Sequence, residues 1–299
     1  MLHETRETDM ADTQIVAEGL YFGEGPRWHA GRLWFSDFYD HAVKSMGTSG
    51  DVRTEHTFDD QPSGLGWLPD GALLVVAMQR LQVLRETPTG FVVHADLTDL
   101  ARFMCNDMTV DNQGRAWVGN FGFDLDTAIR SQGMERVLAD VSTTNLVRVD
   151  PDGSAHCAAA DMAFPNGTVI TPDGDTLIIA ETLGARLTAF DITADGTLAN
   201  RRVWAALEGI APDGIALDAE GNVWVANALA PECFLVSEGG RAVRRVQTTQ
   251  NCYACMLGGE DGRQLFAMTA KGADKQVATR ERAGRVEAIA VESPGAGCP

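Results

Sequence analysis

Residues 165–181 read PNGTVITPDGDTLIIAE: an apolar stretch, a tight turn closed by Gly174, and a second apolar stretch. Residues 212–227, PDGIALDAEGNVWVAN, repeat that arrangement around Gly221. Four further copies lie at 24–38 (EGPRWHAGRLWFSDF), 63–77 (SGLGWLPDGALLVVA), 107–121 (DMTVDNQGRAWVGNF) and 256–270 (MLGGEDGRQLFAMTA). The turn glycines Gly31, Gly71, Gly114, Gly174, Gly221 and Gly262 are separated by 40, 43, 60, 47 and 41 residues. The Asp, Asn and Gly residues of these turns tolerate the left-handed backbone that hairpin connections demand. A strand–turn–strand unit recurring every ~40–50 residues is the pattern of a propeller blade. Six units predict an all-β chain, a six-bladed β-propeller around a central channel.

Between the copies lie further β-rich runs, VKSMG, VLRET, NLVRVD, LTAFDI, CFLVSE and RVEAIAV, which supply third strands. The polar stretch 1–13 is expected to be a flexible tail, 14–292 the propeller, and 293–299 a second tail. A strand at 15–20 is expected to complete the last blade, because closure removes exposed sheet edges. The long spacing before Gly174 holds an insertion, 122–144, with helical offsets at Met134, Val137 and Leu138. It is expected on a rim, either walling a channel mouth or decorating the surface.

The net charge of −18 excludes a phosphate-backbone partner, which needs clustered Lys and Arg, so no nucleic acid is expected. No apolar run is long enough to span a bilayer, and the acidic N-terminus lacks a signal peptide's basic and apolar regions. The expectation is a cytoplasmic protein without a membrane partner, a monomer or small homo-oligomer. Six cysteines include one CxxC, Cys252–Cys255, with no second pair to complete a thiolate zinc site, so buried or rim thiols are expected. The histidines show neither HxH nor HExxH spacing, and no GxSxG nucleophile elbow is present. The tryptophans beside the repeats are expected to pack the blades.

Four repeats carry a carboxylate or carboxamide just ahead of the turn: Glu24 in GEGPRW, Asn106 in CNDMTVD, Asn166 in FPNGTVI and Asp213 in APDGIAL. They precede their turn glycines by 7, 8, 8 and 8 residues. Equal offsets in quasi-equivalent blades put these side chains at one depth, aimed at the axis. Asn and Asp before Gly are also ordinary turn formers, and it is the fourfold match that argues for a site. The second and sixth repeats break it, with Ser63 and with Ala254 or Cys255. Two carboxylates and two amide carbonyls form an oxygen-rich set suited to a hard divalent cation.

These motifs together, GEGPRW, ND followed by TVD, PNGTVITPDG and PDGIALDAEGNVWVAN, resemble the regucalcin/gluconolactonase family over nearly the whole chain. That resemblance implies a six-bladed propeller with one divalent metal in the channel (Ca²⁺, Zn²⁺, Mn²⁺, Mg²⁺ or Fe²⁺) and hydrolysis of a lactone or related ester. It implies Glu24, Asn166 and Asp213 as metal ligands, Asn106 beside the metal or on the substrate, and Asp213 as general base, with nucleophilic attack by Asp213 as the other route. Family members acting on sugar lactones often carry Arg two residues before the Asn of the ND motif, where this chain has Met104. With Phe103, Phe121, Phe123 and Met108 able to extend an apolar wall, a substrate less polar than an aldonolactone is expected. Glu181 and Arg186 are expected either at the rim beside the substrate or as a structural pair. The competing readings are a non-catalytic interaction propeller, another reaction on the same metal (phosphotriester hydrolysis, or an isomerase or lyase step), and a calcium-binding regulatory protein.

Overall fold

The computed structural model describes residues 13–297. Within them, 24 strands form six four-stranded antiparallel sheets, the six blades of a β-propeller. The innermost strands are Gly23–His29, Pro62–Trp67, Cys105–Val110, Pro165–Ile170, Pro212–Leu217 and Asn251–Gly258. Each packs against the next and the sixth returns to the first, closing the ring. Gln14–Leu20 pairs with Gly284–Ala290 as the outer strand of the sixth blade, so the N-terminal strand closes the circle.

The outer strands are where the sequence signal fades. Val52–Thr57, VRTEHT, is mostly exposed and lacks the alternating apolar pattern of a half-buried strand. The inner strands, wedged between neighbours, are buried almost throughout. In four of them crowding demands glycine at the third position. A Cβ on Gly167 would stand 2.6 Å from Asp213 O and Ile215 N, and one on Gly214 would stand 2.6 Å from Ala254 Cα. Trp117 and Trp224 are fully buried in the blades, and Trp28 stacks on Phe266 with ring centroids 5.6 Å apart.

Two helical insertions decorate the sheets. The stretch 122–144 forms α1, Leu125–Gln132, and α2, Met134–Ala139, with Val137 buried and Met134 and Leu138 exposed. A third helix, α3, Lys275–Glu281, lies within the sixth blade between Gln264–Ala270 and Gly284–Ala290. Nothing in its sequence, KQVATRE, carries an apolar stripe, and it was not expected. The expectation of a free C-terminal tail fails at residues 294–296: Ala219 N donates to Pro294 O, Gly295 N to Gly262 O and Ala296 N to Leu217 O. These bonds strap the segment across the fifth and sixth blades. The expected N-terminal tail up to residue 12, and Cys298, lie outside the described residues. Cys105, Cys233, Cys252 and Cys255 are buried free thiols and Cys157 is exposed. Among the described residues no helix is long and apolar enough to cross a membrane.

Candidate functional site

Every inner strand leaves its hydrogen-bonding ladder near its start. The register with the second strand shifts between Glu24 and Arg27, Pro62 and Leu65, Cys105 and Met108, Pro165 and Thr168, Pro212 and Ile215, and Cys252 and Ala254. Such bulges release side chains from the sheet faces and re-aim them. Glu24, Ser63, Asn106, Asn166 and Asp213 each occupy the second position of their strand, and all five are buried. In the sixth blade the bulged residue is Tyr253, not Ala254 or Cys255 as the spacing suggested. Ala254 instead takes the small-residue position, against Gly214. The one-residue difference arises because this strand skips a single residue where the others skip two.

Electrostatics links Glu24, Asn166 and Asp213, and adds Asp107 and Tyr253. Glu24 is pushed well above the usual carboxylate range, first by burial, then by repulsion from Asp213 and Asp107. Asp213 is pushed up to about 8 by burial and then by Asp107, against a hydrogen bond from Asn166. Tyr253 is pushed up to about 12 by burial and by the Asp213 charge. The Asn166 amide nitrogen also donates to Thr182 Oγ1 at 3.1 Å, and that hydroxyl donates to Pro212 O at 2.8 Å, fixing the carboxamide's rotation.

Asp107 was missed by the sequence reading. It holds the position where four other blades have glycine, and its buried carboxylate pairs with Arg27 at 2.9 Å. Arg27 also donates to Met108 O and to Pro26 O. Burial still raises the Asp107 pKa, with Arg27 and the Met108 amide opposing. The Arg27 guanidinium thus pairs with Asp107, and its charge also opposes the rise at Glu24. The available signal was the adjacent pair Asn106–Asp107 at a position that elsewhere reads Asn-Gly, Asp-Gly or Ser-Gly.

Glu181 and Arg186 belong to a different structure. Glu181, fully buried, accepts from Arg186 Nε and Nη2, Thr188 Oγ1, Arg201 and Ala163 N. Its pKa falls below the ordinary value, with the Arg186 hydrogen bond the largest effect opposing burial. Asp37 in the first blade, likewise at the end of a second strand, accepts from Phe22 N and pairs with Lys44 at 2.8 Å. Asn120 accepts from Arg102 N and Thr144 Oγ1. In each case a polar residue holds the loop that leads into an inner strand. The Glu181–Arg186 pair is therefore structural in its contacts. Met104 and Phe121 pack against the cluster containing Phe22, Phe38 and Tyr253, and Phe121 N donates to Met104 O.

Among the described residues no group of three or more His, Cys, Asp or Glu side chains is arranged to hold a metal ion. The axial set mixes Glu24 and Asp213 with the carboxamides of Asn106 and Asn166 instead.

A propeller whose inner strands carry this Glu, Asn, Asn and Asp set defines a class. The profile of the SMP-30/Gluconolactonase/LRE-like region matches residues 22–271, and the chain belongs to that family. It is similar to 6-deoxy-6-sulfogluconolactonase of Pseudomonas putida, 27% identical over 95% of this chain and 96% of that one. It is similar to regucalcin of Xenopus laevis, 30% identical over 86% of this chain and 85% of that one. Among solved structures it matches a calcium-binding protein, regucalcin, from Agrobacterium tumefaciens. The TM-score there is 0.75 at 20% identity, covering 96% of this chain and 95% of that one, a likeness of fold.

Proposed function

We propose that this protein is a divalent-metal-dependent lactonase, opening a cyclic ester by addition of water. The observation that carries the reading is the set of buried groups on the inner strands: Glu24 and Asp213, mutually repelling, with the Asn166 carboxamide hydrogen-bonded to Asp213 and Asn106 at the matching position of its own strand. Buried like charges without a counter-ion are costly, and a hard divalent cation taking oxygen donors relieves that cost. Glu24, Asn166 and Asp213 would hold it, with Ca²⁺, Zn²⁺, Mn²⁺, Mg²⁺ and Fe²⁺ all compatible with oxygen ligands. Two relatives whose names carry lactonase or regucalcin, similar over most of their length, support the same assignment.

When bound, the cation would polarise the lactone carbonyl and stabilise the developing oxyanion. Asp213 takes a proton from the attacking water as its oxygen bonds to the carbonyl carbon. The ring C–O bond then breaks, and the proton passes to the departing alkoxide, leaving a hydroxy acid. Glu24 supplies balancing negative charge. Asn106, at the position in its strand that matches Asn166, would orient the substrate's oxygens. Arg27 holds Asp107 in place behind them. The substrate is a small molecule and the compartment is proposed to be the cytoplasm.

The test is hydrolysis of a lactone panel by metal-stripped protein with each of the five cations restored singly. Turnover of any lactone that is lost on stripping and regained with one cation supports the proposal. Tight cation binding without turnover of any lactone contradicts it and favours a regulatory binding role.

A further inference from the structure

The loops that enter the two strands carrying the carboxamides are aromatic. Phe103 and Phe164 sit in the loops entering the strands that carry Asn106 and Asn166. Both are held in left-handed backbone, at φ 67° and 62°. That region disfavours bulky side chains and persists where surrounding structure enforces it. Phe121 bridges them, its ring centroid 4.6 Å from Phe164 and 6.2 Å from Phe103. Phe103 remains 42% exposed, so an aromatic edge is kept in solvent at a strained position. Met104, two residues ahead of Asn106, and Phe121 continue this surface into the cluster of Phe22 and Tyr253.

Several polar groups at this end of the blades are already engaged by the protein. Arg186 and Arg201 are bound to Glu181, Lys44 lies between Asp37 and Asp40, and the Tyr39 hydroxyl donates to Ala273 O. A polyhydroxylated ring entering here would lose its water against carbon, whereas a flat apolar group would gain aromatic contact.

We infer that the substrate carries an aryl or similarly flat apolar group, which packs on Phe121 and the edge of Phe103 while its carbonyl sits beside Asp213. The inference rests on the lactonase reading and specifies its substrate class. Phe121 and Phe103 are then specificity residues that touch the substrate and take no part in the chemistry.

The test compares kcat/KM for dihydrocoumarin and D-glucono-1,5-lactone in wild type, Phe121→Ala and Phe103→Ala, each supplied with the restoring cation. Phe103→Ala, at an exposed site, serves as the variant certain to keep the core intact. The expected result is a wild-type preference for dihydrocoumarin of about 10-fold or more, because one aromatic contact plus burial gives roughly that factor. Phe121→Ala should cut the preference about 10-fold and Phe103→Ala about 3-fold, through KM, with gluconolactone changed less than about 2-fold. A preference for gluconolactone, or equal losses on both substrates, overturns the inference. Calorimetric binding of the product acids, 3-(2-hydroxyphenyl)propanoate and gluconate, decides it even if neither lactone is turned over. Tighter binding of the aryl acid that weakens in Phe121→Ala sustains the aryl site while the lactonase reading fails. Equal binding of the two acids overturns the aryl site alone.

Discussion

The propeller buries two sets of carboxylates, and they live in opposite surroundings. Asp37, Glu181 and Glu287, on second and third strands, are fully buried, and each is surrounded by donors. Glu287, for example, accepts from Thr249 N, Thr249 Oγ1 and Thr269 Oγ1. Among the described residues, Glu24 and Asp213 on the inner strands are buried without an ion pair, Asp107 beside them pairs with Arg27, and the pKa values of all three rise. Burial of an acid therefore distinguishes nothing here. The satisfied acids fasten loops to blades, and the unsatisfied ones store an electrostatic cost that a ligand can relieve.

The comparison can be broken most severely at Asp213. Asp213→Asn is expected to lower turnover by about 10²-fold or more if the carboxylate is the base. Steady-state kinetics at saturating metal measures this, and unchanged turnover removes Asp213 from the chemistry. Glu181→Ala should instead spare the chemistry and cost about 2–3 kcal/mol of folding free energy, because the Ala163 amide and Thr188 hydroxyl lose their buried acceptor. Urea denaturation measures that loss, and a drop in turnover without loss of stability would instead put Glu181 at the substrate.

The pH dependence sharpens the contrast. Asp213's folded-state value, about 8, lies above its ordinary 3.8. Its contribution to stability is fully present below about pH 4 and is lost as pH rises through about 8. Metal-free wild type should lose stability relative to metal-free Asp213→Asn across that window, and the restoring cation should remove the difference. Parallel melting curves for the two proteins at every pH would show that the acid is not strained. The smallest effect is expected at Phe103, where Phe103→Ala should shift stability by less than about 0.5 kcal/mol, since the side chain is exposed.

What was legible in the sequence follows the same physics. Inner, second and third strands were readable because burial on both faces forces apolar runs and their hairpins demand Gly, Asn or Asp. Apart from the one at 15–20, the outer strands were not, since Val52–Thr57 faces water on much of its surface and carries little pattern. Glu24, Asn106, Asn166 and Asp213 were readable because the repeat places them at matched offsets. The pairing of Arg27 with Asp107 spans 80 residues and two blades, and no local spacing encodes it. Tyr253 was missed, Ala254 or Cys255 being named in its place, because the sixth inner strand's bulge is one residue shorter than those of its neighbours. Glu181 and Arg186 lay five residues apart with two readings open, and only the contacts around them, to Thr188, Arg201 and Ala163, show what the pair holds.

The central claim is that the axial acids hold one divalent cation on which activity depends. Its most direct measurement is the metal retained per chain after dialysis, by elemental analysis, for wild type, Glu24→Gln and Asp213→Asn, paired with lactone turnover of the same samples. About one equivalent is expected in wild type and a large loss in Glu24→Gln, with turnover tracking occupancy. Full turnover in metal-free wild type, or unchanged occupancy in both variants, would contradict it.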